Sequence, residues 1–182
     1  MNLTDMLQKL QGGDRRSIGR ADEVVEEVLK DPSLLGAMFR GLLGDDPVLR
    51  LRCADVAEKV TAVHPEYLQE YKAALLQQVA RIEQQEVRWH VAQMLPRLHL
   101  DAEERAEAVR VLIGYLSDKS SIVRTFSLQA LADLAGDDAV LRPKVIEQLQ
   151  QHIERGSPAV KARGRKLLAE LQSEQGSTGL RV

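Results

Sequence analysis

One helix-length pattern is written four times along this chain, and that repetition limits the folds open to it more than any single motif does. The clearest copy is Asp118–Leu134, DKSSIVRTFSLQALADL, anchored on Val123-Arg124. The anchor recurs as Leu49-Arg50, Val87-Arg88 and Val160-Lys161, at spacings of 38, 36 and 37 residues. Four residues beyond each anchor stand Cys53, Val91, Ser127 and Gly164; eight beyond, Ala57, Leu95, Leu131 and Leu168; eleven beyond, Val60, Leu98, Leu134 and Leu171. Offsets of 4, 8 and 11 are near-whole numbers of helical turns, so each copy carries one apolar stripe. A period in the high thirties with two helices per unit is the signature of an α-solenoid, in which each unit buries its face against its neighbours.

The helix punctuation agrees. Residues 3–11 form a short amphipathic helix with Leu3, Met6, Leu7 and Leu10 on one stripe, stopped by Gly12-Gly13. It either caps an open end of the array or docks into a partner's groove. A second helix is expected over 15–30, in which Arg20 stands as a degenerate anchor, and Asp31-Pro32-Ser33 ends it. Full repeats follow as 33–43 with 47–63, 65–82 with 85–98, 102–117 with 120–135, and 138–155 with 157–172. Asp46 caps and Pro47 opens one second helix. Pro96 ends or kinks another. Asp101 with Glu104 makes a capping box, and Gly136 closes its repeat. Pro143 either starts or bends its helix. From Ser173 the sequence SEQGSTGLRV has too little apolar content to pack, so residues 173–182 read as a flexible tail.

These units resemble HEAT repeats: an apolar helix, a short turn carrying Asp and often Pro, then a helix opening with Val-Arg. The Asp118-to-Arg124 spacing of six, Asp46-Pro47 before Arg50 and Ser157-Pro158 before Lys161 carry the likeness, while Glu83 and Glu86 flank a turn with neither Asp nor Pro. The resemblance covers roughly residues 14–172. It implies an all-α, right-handed solenoid of antiparallel helix pairs: an N-terminal cap over 1–31, then repeats over 33–63, 65–98, 101–135 and 137–172, together one domain over 1–172. It also implies that the second helices line a concave binding face, and that the anchor arginines Arg50, Arg88 and Arg124 bond to turn acids and carbonyls, stiffening the stack.

Composition excludes several classes. Aromatics are 3% of the chain, which suits thin layers of Leu, Val and Ala. Cys53 is the only cysteine, so no internal disulfide forms, and a reducing, cytoplasmic setting is the default. No apolar run approaches the ~18 residues of a membrane span, and no secretory signal is visible. The histidines His64, His90, His99 and His152 make no i, i+4 pair, as metal binding would need. HEAT-like hydroxylases hold two irons on adjacent His-Glu pairs, but here Val91 follows His90. Cys53 reads as a packing residue and His90 as a partly exposed histidine at a layer edge. No catalytic residue, cofactor or metal is expected.

The second helices carry net charges of +1, +1, 0 and +3 over 47–63, 85–98, 120–135 and 157–172, on a chain of net −2. Arg163, Arg165 and Lys166 form either an anion-attracting patch or a solvated end. Trp89 sits about 200° around the helix from its anchor and is expected outward, with Leu51 at the same offset and Arg88, Arg52 and His90 beside it. That composition suits a binding hot spot; the alternative has Trp89 folded over the next repeat. The leading expectation is a monomeric, non-enzymatic scaffold that binds a protein through Arg50, Leu51, Arg88, Trp89, Arg124, Arg163 and Arg165. The runner-up is nucleic-acid binding in the manner of HEAT-like alkylpurine DNA glycosylases, none of whose site residues map here. A third is an accessory role like that of HEAT-like bilin lyases.

Overall fold

The computed structural model describes residues 3–12, 17, 19–136 and 138–178, with side chains through Ser173 from Asp5 onward. All regular structure among them is helical. The helices are α1 Leu3–Leu10, α2 Ala21–Lys30, α3 Leu35–Leu42, α4 Pro47–Val63, α5 Lys72–Gln77, α6 Gln85–Met94, α7 Ala102–Tyr115, α8 Ser121–Ala135, α9 Arg142–Arg155 and α10 Pro158–Thr178. They group into two compact units, Met1–Glu104 and Arg105–Val182.

In the first unit α4 is the centre. It packs against α1, α2, α3 and α6, and its stripe Leu49, Cys53, Ala57 and Val60 is buried throughout. The starts follow from the sequence: Asp46 Oδ1 accepts from the Val48 amide at 2.9 Å, and Pro47 occupies the first turn, where no intrahelical N–H bond is lost. Met6 and Leu10 of α1 are buried against this unit, whereas the side chain of Leu3 lies outside the described residues. Gly12 has φ +74°, the left-handed conformation that ends a helix at little cost for glycine; Gly13 lies outside the described residues.

Two expectations are corrected here. The helix expected over 15–30 begins only at Ala21. Gly19 (φ +61°) and Arg20 form a turn before it, and residues 15, 16 and 18 lie outside the described ones. Arg20 is no anchor: it is exposed and pairs with Glu23 at 2.6 Å. The helix expected over 65–82 is broken into a 3₁₀ stretch Pro65–Tyr71, the short α5, and a 3₁₀ turn Val79–Arg81. Tertiary contacts dictate its path. Tyr71 stacks on Phe39 at 4.3 Å between centroids. Gln69 donates to the Arg97 carbonyl at 3.0 Å and accepts from the His99 amide at 2.9 Å, and Lys72 reaches the His99 carbonyl at 3.0 Å. Helix propensity per residue is too small to overrule such pinning. Pro96 acts as expected: α6 ends at Met94, and Leu95–Arg97 tightens into a 3₁₀ turn.

In the second unit α10 packs on α9 and on α8, and α8 also meets α9. Val123, Ser127, Leu131 and Leu134 of α8 are buried, as are Val160, Gly164 and Leu171 of α10, with Leu168 half-buried. At the end of the first unit, the Asp101 capping box forms at the start of α7. Asp101 Oδ1 accepts from the Glu103 and Glu104 amides, and Glu104 Oε2 accepts from the Asp101 amide, each at 2.9 Å. Pro143 lies in the first turn of α9 and so starts it. The tail expectation fails at its near end: α10 runs on through Ser173 to Thr178. Once a helix is nucleated, each further residue adds a hydrogen bond without needing an apolar partner. Residues 179–182 lie outside the described ones.

Candidate interaction site

The second helices α4, α6, α8 and α10 carry every expected site residue except the turns they reach back to. The anchor arginines each reach back to a main-chain carbonyl of the turn before their helix, Arg50 and Arg124 through Nη atoms and Arg88 through Nε. Arg50 donates to the Asp45 carbonyl at 3.1 Å, Arg88 to the Ile82 carbonyl at 3.3 Å and Arg124 to the Asp118 carbonyl at 2.9 Å. Arg142, opening α9, does the same to the Gly136 carbonyl six residues back. Each bond is charge-assisted, and each closes the turn ahead of its helix. The second copy lacks a turn Asp, yet keeps the clasp, because the acceptor is a main-chain oxygen that any residue supplies. Gln84 makes no side-chain cap there; its amide instead ties the turn to α4, donating to the Pro47 carbonyl at 2.8 Å.

The surroundings of Trp89 depart from expectation. Leu51 and Arg52 are buried, at 7% and 2% exposure, and Trp89 itself is half-buried. A position 200° from the anchor is exposed only on a helix with one covered face, and α4 is covered on several sides by α1, α2, α3 and α6. Arg52 is a tie rather than a surface charge: it donates to the carbonyls of Leu10 (2.9 Å), Gly12 (2.6 Å) and Ser17 (3.1 Å). His90 is buried, not partly exposed. Burial holds its imidazole below its ordinary pKa, although Asp55 and Glu58 pull the other way. Its ring tilts against Trp89 at 5.6 Å. Trp89 is thus in ring contact with His90 and keeps part of its surface exposed.

Much of the positive charge on these helices is engaged. Lys59 bridges Asp22 (2.8 Å) and Asp55 (2.9 Å). Arg97 pairs with Glu58 at 2.5 Å and donates to the Glu58 carbonyl and Thr61 hydroxyl. Lys166 lies 3.8 Å from Glu170, and Arg163 donates to Gln129 at 3.0 Å. Arg165 is exposed. A cavity of about 520 Å³ opens beside Lys9, Gly12, Ser17 and Arg52, but Lys9 is paired with Glu27 and Arg52 is held as above. Cys53 is buried and its thiol is pushed up to about 12, first by burial and then by Asp46, so it stays protonated and unreactive. Among the described residues no three His, Cys, Asp or Glu converge as metal ligands, and no described helix is long and apolar enough to cross a membrane.

Of the expected partner-binding residues, then, Arg50, Arg88 and Arg124 serve their own turns and Leu51 is in the core. Trp89, Arg163 and Arg165 keep surface. The roles of Arg52 and Arg97 had no sequence signal, since nothing local marks which carbonyl lies across from an arginine. No family model matches this chain, and no curated protein matches it either.

Proposed function

We propose that this chain is a HEAT-like array, one domain over residues 1–172 in a right-handed solenoid, working as a non-enzymatic, monomeric, cytoplasmic scaffold that binds a protein through its second helices. The observation that carries the reading is the arginine clasp repeated at Arg50, Arg88 and Arg124, joined to the packing of α4 on α6 and of α8 on α10. A clasp that stiffens successive turns, with second helices side by side, is the construction that yields an extended binding surface without catalytic groups. Within the first unit the contact is centred on Trp89, a large ring already seated on His90 and so costing little entropy to immobilise. Within the second it involves Arg163 and Arg165. The nucleic-acid alternative draws no support from α4, α6 and the turn after α6, where Arg52, Lys59 and Arg97 are occupied by carbonyls and carboxylates.

Arg88→Ala would confound a binding test by opening its turn, so the test uses Trp89→Ala and, separately, Arg165→Ala. Each variant is compared with wild type by quantitative capture from native lysate, after circular dichroism shows an unchanged helical content. Loss of a stoichiometric partner protein with Trp89→Ala is the expected result. A partner retained by both folded variants removes the proposal, and nuclease-sensitive, salt-sensitive co-purification of nucleic acid replaces it with the alternative.

A further inference from the structure

We infer that the second unit contains a phosphate-binding pocket between the start of α8 and the end of α9. A cavity of about 280 Å³ is lined there by Leu116, Arg124, Gln151, His152, Arg155 and Gly156. Two arginines face this space, and no carboxylate lines it.

The state of the two guanidinium groups makes the case. Arg124 donates from Nη1 to the Asp118 carbonyl, and its buried Nε has no partner. An arginine has five N–H donors in a rigid fork, so this clasp leaves most of them unused. Arg50, whose clasp also runs through an Nη atom, shares the orphaned Nε, so the orphan comes with an Nη clasp. What distinguishes Arg124 is the cavity beside it and the second arginine on that cavity's wall. Arg155 is exposed and lies in the last turn of α9. Gln151 reaches Glu147 through its Nε2 at 3.3 Å, and His152 engages the Gln148 carbonyl through Nδ1 at 2.9 Å, so the Nε2 edge of His152 is uncommitted.

Electrostatics choose the ligand. The carboxyl end of a helix carries roughly half a negative charge, and at α9 one of the last carbonyls is capped by the Gly156 amide bonding to His152 O at 2.9 Å. Two full positive charges outweigh that partial one. A phosphate group, with about −1.5 to −2 charge at neutral pH, matches two arginines better than a single carboxylate does, and its oxygens accept from two forks at once. Gly156, which lines the cavity, admits no side chain: a Cβ there would meet His152 O at 2.5 Å and Val160 Cγ1 at 2.5 Å. The inference stands apart from the protein-binding reading: its contacts are Arg124 and Arg155, whereas the protein contact proposed above rests on Trp89, Arg163 and Arg165.

The test is a titration of the full chain with inorganic phosphate at constant ionic strength, followed by amide NMR. Saturable shifts at Gln151, His152, Arg155 and Gly156 are expected, weakened at least about tenfold by Arg155→Gln, whose exposed side chain is not needed for folding. No saturable change, equal shifts with chloride, or undiminished binding by Arg155→Gln would each overturn the site. A phosphoserine peptide in a parallel arm separates the sources. Tighter binding than inorganic phosphate points to a phosphorylated protein, and equal or weaker binding to a free phosphate compound.

Discussion

Gly41 on α3 faces Cys53 on α4, and the two are fitted to one another. A methyl group placed on Gly41 would overlap Cys53 Sγ and come within 3.3 Å of Leu7 Cδ2, with Cys53 Cβ at an ordinary 3.6 Å. Both partners are buried, so neither has free space to retreat into. Gly41→Ala therefore sets an overpacking cost of about 1–3 kcal/mol against a helix-propensity gain of about 1 kcal/mol, for a net loss of about 0–2 kcal/mol. Cys53→Ala alone leaves a small void, costing about 1 kcal/mol. In the double variant the new methyl occupies the space the sulfur vacated. Gly41→Ala should then be neutral or stabilising by up to about 1 kcal/mol, a coupling of roughly 1–3 kcal/mol between the sites. Urea unfolding read by the fluorescence of Trp89, which lies in the same unit, measures all four corners of the cycle. If Gly41→Ala costs the same in both backgrounds, to within about 0.5 kcal/mol, the helices do not meet at this point and the packing argument is wrong.

Three further outcomes are expected. Because burial raises the Cys53 thiol to about 12, against an unfolded value near 8.5, its contribution is complete below pH ~8.5 and is lost as pH climbs toward 12. The wild type should lose up to about 1.4 kcal/mol per pH unit in that window relative to Cys53→Ala. His90 titrates the other way: its lowered pKa means that the unfolded chain takes the proton first. Stability should decline as pH falls below about 6.5, and His90→Gln should flatten that decline in acid-unfolding curves. Gly156→Ala forces a methyl onto a backbone carbonyl and a β-branched side chain, so thermal unfolding should show a loss of at least about 1–3 kcal/mol.

The stripe from Leu49 to Val60 was legible because burying one helical face needs only the right period, and period is a local property of the chain. Caps at Asp46 and Asp101 were legible for the same reason: donor and acceptor are two or three residues apart. The clasps of Arg50, Arg88 and Arg124 followed from a resemblance and are five- or six-residue contacts. By contrast, the 65–82 segment and the burial of Leu51 were not legible. Gln69 answers to Arg97 and His99, Tyr71 to Phe39, and Leu51 to helices on several sides of α4, all long-range matters that no window of sequence contains. The candidate pocket at Arg124 and Arg155 joins residues 31 positions apart, and only the packing of α8 on α9 brings them together.

The sequence by itself determined that the chain is helical, where most helices begin, and which face of each is apolar, since propensity, capping and periodicity act over a turn or two. Tertiary structure decided which arginines are bolts and which are surface, and how far Trp89 is covered. Those answers depend on what lies across from a side chain, and that is settled only when distant helices meet.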